Sequence, residues 1–206
     1  MQRGPIMPFN VPIFLTWLRI VLIPLVVGVF YLPDSWIGVP QKDAVATIVF
    51  VVAALTDWLD GWLARRLNQT SRFGAFLDPV ADKLMVTASL LVLAAYPSDN
   101  GDPHRLNAVI ALIIVGREIT ISALREWMAQ IGASRSVAVN SLGKIKTIMQ
   151  MVAIPMLLYD RFFLFFDAHM VGTWLIYCAA ILTVWSMFYY MRLAWPQIVA
   201  KTQIDP

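Results

Sequence analysis

The segment Asp57-Trp58-Leu59-Asp60-Gly61-Trp62-Leu63-Ala64-Arg65 sets two carboxylates inside a largely apolar stretch, residues 43–66. Positions 57, 60, 61 and 64 are spaced i, i+3, i+4 and i+7, which is one face of a helix. That face carries two acids followed by two of the smallest residues. Trp58, Leu59, Trp62 and Leu63 interleave with it and are free to meet lipid or a neighbouring helix. A charge inside a membrane helix costs at least ~2.5–3.5 kcal/mol, and such residues ordinarily face a polar cavity and have a function. Small residues let a flat group approach the backbone, and Arg65 adds a planar fork suited to phosphate.

The surrounding chain has the composition of a membrane protein. Of its 206 residues, 59% are hydrophobic and 14% charged, against roughly 45–50% and 25% in average proteins. Mean hydropathy is +0.69. This composition excludes disorder, collagen-like repeats and a disulfide scaffold, and the single cysteine, Cys178, has no internal partner. The net charge of +3 fits basic residues held at a cytoplasmic membrane face rather than nucleic-acid binding.

Six apolar stretches, residues 13–32, 43–66, 79–97, 105–128, 143–159 and 171–194, are each long enough for a membrane helix. Lipid offers no partner to backbone polar groups, so helices are expected. The sequence therefore predicts an all-α integral membrane protein of six transmembrane helices. Residues 1–12 read as a short cytoplasmic, interfacial lead-in and residues 13–206 as one membrane domain. Pro24 and Pro155 fall inside spans and are expected to bend them. The first span reads as an uncleaved anchor, because no small-residue cleavage site follows it. Six spans put both termini on one side. That side carries thirteen Lys and Arg residues against three (Lys42, Arg105, Arg161) on the other, which places the termini in the cytoplasm.

A second acidic pair follows in Gly74-Ala75-Phe76-Leu77-Asp78-Pro79-Val80-Ala81-Asp82. Asp78 before Pro79 reads as a helix N-cap with proline at the first helical position, and Asp82 shares the face of Asp78. Two neighbouring helices thus each present a carboxylate pair. Four acidic donors with no nearby His or Cys favour a hard cation, Mg²⁺ or Mn²⁺. Four carboxylates can hold two ions, an arrangement suited to phosphoryl transfer. Lys83 pairs with a carboxylate or snorkels to the interface. Arg117 and Glu118 lie near the middle of the fourth span, where a charge again calls for an explanation.

Asp57, Asp60, Gly61, Ala64, Arg65, Gly74, Asp78 and Asp82 together spell D-x2-D-G-x2-A-R-x8-G-x3-D-x3-D. This resembles the signature of the CDP-alcohol phosphotransferase family, with every fixed position filled. Asn10-Val11-Pro12, Leu15-Thr16, Arg19, Arg117-Glu118-Ile119, Ala123-Leu124-Arg125-Glu126 and Gly143-Lys144-Ile145-Lys146-Thr147 look like the bacterial members that join sn-glycerol 3-phosphate to CDP-diacylglycerol, giving phosphatidylglycerophosphate and CMP. The resemblance implies metal ligation by Asp57, Asp60, Asp78 and Asp82, with Asp82 also serving as general base. It implies CDP binding by Asp57, Gly61, Ala64, Arg65 and Gly74. It further implies a homodimer in the bacterial cytoplasmic (inner) membrane, with the active site facing the cytoplasm. A phosphorylated acceptor needs a second cationic site, for which Arg117, Arg125, Lys144 and Lys146 are the candidates.

Two other functions fit parts of this pattern. One is a family member with a different alcohol acceptor, serine or inositol phosphate. The other is a transporter that uses the acids for divalent cations or protons. The clustering of the acids toward one membrane face fits an interfacial enzyme better than a midplane transport site.

Overall fold

A computed structural model of the chain describes residues 11–67, 72–98, 101–133, 141–163 and 165–202. Its elements are α1 (Val11–Phe30), α2 (Val39–Leu67), α3 (Arg72–Ala95), α4 (Ala108–Gln130), α5 (Ser141–Tyr159), a two-residue hairpin of β1 (Phe162–Phe163) and β2 (Phe166–Asp167), and α6 (Ala168–Thr202). Among the described residues the regular structure is thus helical apart from the hairpin, and the helices fall on the apolar stretches of the sequence. Contacts divide it into two compact units, Met1–Leu93 and Ala94–Pro206.

Among the described residues one helix, Ala168–Val199, is long and apolar enough to cross a membrane, and Phe14–Phe30 is a shorter apolar helix. The remaining helices are less apolar because they carry charges: Asp57 and Asp60 on α2, Asp78, Asp82 and Lys83 on α3, Arg117, Glu118 and Arg125 on α4. Exposed faces are apolar on charged and uncharged helices alike. Trp17, Val21 and Leu25 on α1, Ile48, Val52 and Leu55 on α2, and Trp174, Ile181, Trp185 and Phe188 on α6 are all exposed.

One expectation needs correction. Asp78 does not cap α3, because the helix begins at Arg72 and encloses both Asp78 and Pro79. The Asp78 carboxylate accepts a hydrogen bond from Thr16 Oγ1 of α1 at 2.7 Å and is not spent on the backbone of its own helix. Pro79 forgoes one backbone hydrogen bond there.

In the first unit the core is built from Val26, Val29 and Phe30 of α1, Ala46, Phe50 and Ala53 of α2, and Leu77, Ala81 and Met85 of α3. The spacings of three and four keep each set on one helix face. In the second unit α4 buries Ala111, Ile114, Arg117, Ile121, Leu124 and Met128 along one stripe. The lower part of that stripe packs with Tyr190 and Ala194 of α6. Asn107 caps α4 by accepting from the Val109 amide. The helix ends in a Schellman turn: the Gly132 amide donates to Ala129 O and the Ala133 amide to Met128 O. Gly132 sits at φ +74°, which a side chain would resist. Between α5 and α6 the approach is close. A Cβ on Gly172 would lie 3.0 Å from Leu157 Cγ and 3.2 Å from Ala153 O.

A polar knot closes one end of the second unit. Asp160, fully buried at φ +55°, receives Ser98 Oγ at 3.0 Å and His169 Nδ1 at 2.5 Å. Arg105 Nε lies 3.4 Å from its other oxygen. Arg105 also donates to Pro97 O and Leu158 O. Asp167 then caps α6, accepting from the His169 and Met170 amides.

Candidate active site

The acids of the first unit converge on α1. Arg19 Nη1 lies 2.8 Å from Asp57 Oδ1 of α2 and 3.1 Å from Asp82 Oδ1 of α3. Thr16, one turn earlier on α1, donates to Asp78. Arg19 is buried, whereas the Asp57 and Asp82 side chains are 34% and 44% exposed. Asp57 and Asp82 thus meet on the same arginine nitrogen. Three acids from two helices are therefore held by side chains of α1, two of them on one buried guanidinium. Gly74 and Lys83 are half-buried on α3. The side chains of Asp60, Ala64 and Arg65, and the surroundings of Gly61, lie outside the described residues.

Among the described side chains, no three His, Cys, Asp or Glu groups form a ready cage for one ion. The donor chemistry nevertheless suits a hard cation. Asp57 and Asp82 already share one positive group, and every donor offered is a carboxylate or hydroxyl oxygen, the set that Mg²⁺ and Mn²⁺ take.

A second charged group stands in the second unit. Glu118 Oε1 accepts from Arg117 Nη1 at 3.0 Å and from Lys146 Nζ of α5 at 2.6 Å. Arg117 Nη2 donates to Ser186 Oγ of α6 at 3.0 Å. The guanidinium of Arg125 lies over the Tyr190 ring, 5.5 Å from its centroid, with Arg117 at 6.0 Å. Arg117, Glu118, Arg125 and Lys146 thus form one group with a net positive charge. Lys144 does not join it. It is exposed, and residues two apart on a helix face different ways.

From the sequence, Thr16 and Arg19 are named only as parts of a resemblance. The signal for a site role was present: an arginine inside an apolar span raises the same cost that singled out Asp57 and Arg117. Ser186 and Tyr190 carried no such signal, since a serine and a tyrosine are ordinary in an apolar helix.

The model of the CDP-alcohol phosphatidyltransferase family matches residues 9–185, and the chain belongs to that family. It is accordingly a transferase. Proteins similar to it over nearly their whole length bear the name CDP-diacylglycerol–glycerol-3-phosphate 3-phosphatidyltransferase. That of Haemophilus influenzae is 45% identical over 201 residues, covering 96% of this chain and all of that protein. That of Yersinia pestis is 46% identical over 196 residues, 94% of this chain and 99% of that protein. That of Shigella flexneri is 49% identical over 189 residues, 91% and 96%. The enzyme expectation is borne out, and the transporter reading falls away.

Proposed function

We propose that this chain transfers the phosphatidyl group of CDP-diacylglycerol to sn-glycerol 3-phosphate, releasing CMP and phosphatidylglycerophosphate. The carrying observation is the meeting of Asp57 and Asp82 on one positive group, in a chain whose relatives are named for these two substrates. The six apolar stretches, the exposed apolar faces of α1, α2 and α6 and the excess of Lys and Arg on one side support six spans in the bacterial inner membrane with cytoplasmic termini. The homodimer rests on the family resemblance.

In this reading Asp57, Asp60, Asp78 and Asp82 would hold Mg²⁺ or Mn²⁺. A bound divalent ion supplies charge neutralisation at the pyrophosphate and at the departing CMP. Asp82 accepts the proton of the acceptor hydroxyl. The hydroxyl oxygen forms a bond to the β-phosphorus as the bond from that phosphorus to the CMP oxygen breaks, and Asp82 later returns its proton to water. No covalent intermediate is required. Arg65 would face the CDP phosphates while Gly61, Ala64 and Gly74 leave room for the cytidine.

Arg117, Arg125 and Lys146 supply the cations a phosphorylated acceptor needs, and Glu118 keeps two of them side by side. Arg117→Ala is expected to raise the KM for glycerol 3-phosphate by roughly 10–100-fold, the worth of one hydrogen bond to a charged group. The KM for CDP-diacylglycerol should change little. Equal effects on both substrates would contradict the assignment. The whole reading is tested by incubating purified protein with CDP-diacylglycerol and Mg²⁺ and following CMP. Release should require glycerol 3-phosphate and should not be supported by serine or inositol phosphate.

A further inference from the structure

We propose that Arg19 is a built-in counter-cation of the acid cluster, holding Asp57 and Asp82 together in the metal-free protein and giving way when a divalent ion binds them. The inference rests on the reading of these acids as metal ligands.

The geometry is specific. One nitrogen, Nη1, serves both carboxylates, at 2.8 and 3.1 Å, and these belong to different helices. The arginine is 1% exposed and approaches from the core side, while both carboxylates remain open on the other side. Two carboxylates this close repel, and without a cation one must take a proton or swing away. Burying an arginine is likewise costly unless it is paired and hydrogen-bonded. Each problem solves the other. Arg19, Asp57 and Asp82 together carry one net negative charge, and Asp78, held by Thr16 of the same helix, adds a second. The acids are therefore positioned in advance yet still attract a divalent ion.

A cation bound to the same oxygens meets the guanidinium as a like charge at short range. Arg19 thus weakens metal affinity while it stabilises the empty site. An arginine that only glued α1 to its neighbours would have the opposite signature, since its loss would loosen the metal site and weaken binding.

The experiment is a Mn²⁺ titration followed by electron paramagnetic resonance on purified wild type and Arg19→Met, with thermal melts with and without Mn²⁺. In Arg19→Met the metal-free melting temperature should fall, the Mn²⁺-induced rise should grow, and Mn²⁺ should bind about tenfold or more tightly, as removal of a like charge at contact distance demands. Mn²⁺ binding to wild type with unchanged or weaker affinity in the variant would overturn the role of Arg19 and leave the metal site intact. If Arg19→Met does not fold, Arg19→Gln decides. Its amide keeps a donor for a carboxylate but carries no charge, so Mn²⁺ should still bind more tightly than to wild type, and unchanged or weaker affinity overturns the proposal. Absence of Mn²⁺ binding to wild type and variants alike would remove the metal reading and this inference with it.

Discussion

Asp82→Asn should yield a folded protein that binds CDP-diacylglycerol but releases CMP about 10²–10⁴-fold more slowly, the usual contribution of a general base. The amide matches the carboxylate in size, and its oxygen still accepts from Arg19, which lies 3.1 Å from Asp82 Oδ1. It has no basic lone pair with which to receive the acceptor's proton. Turnover, not the KM of either substrate, should therefore carry the loss. Asp82→Glu retains the acid and should recover part of the rate. The check is CMP release under saturating substrates, beside equilibrium binding of CDP-diacylglycerol to the same preparations. Wild-type turnover in Asp82→Asn would remove this residue from the base role.

Asp160→Ala should be the most destabilising of the substitutions considered, by about 3–5 kcal/mol, the cost of breaking a buried pair by removing one partner. Asp160 is fully buried and serves Ser98, Arg105 and His169 together. Its removal leaves the Arg105 guanidinium buried with less compensation. The left-handed backbone at φ +55° adds to the cost, because aspartate tolerates that region better than alanine. Thermal denaturation in detergent measures the loss. The double variant Asp160→Ala, Arg105→Met should lose less than the two single changes summed, since the second removes the charge the first stranded. A melting temperature close to wild type would show that the knot does not hold this end of the unit.

The two features differ in how far the sequence revealed them. Helices were legible from hydropathy, because runs of about twenty apolar residues admit few other structures. The acids of α2 and α3 were legible because charge in such runs is costly and their spacing put them on shared faces. The start of α3 was misread. Asp-Pro is a good local signal for a helix start, but Thr16 offers Asp78 a tertiary partner, and the local cue lost to it. The separation of Lys144 from Lys146 was readable from helical geometry once both were placed on α5. The Asp160 knot was not legible. Ser98, Arg105, Asp160 and His169 come from turns and helix ends with no common period, and only the folded chain brings them together.

The contact between α5 and α6 at Gly172 has a mechanical consequence. With hydrogen in place of a methyl group, the two helices touch backbone to side chain and act as a single strut of double width. Lys146 rides on one member of the strut, Ser186 and Tyr190 on the other. A tilt of α6 would carry α5 with it, which would preserve the spacing between these three residues.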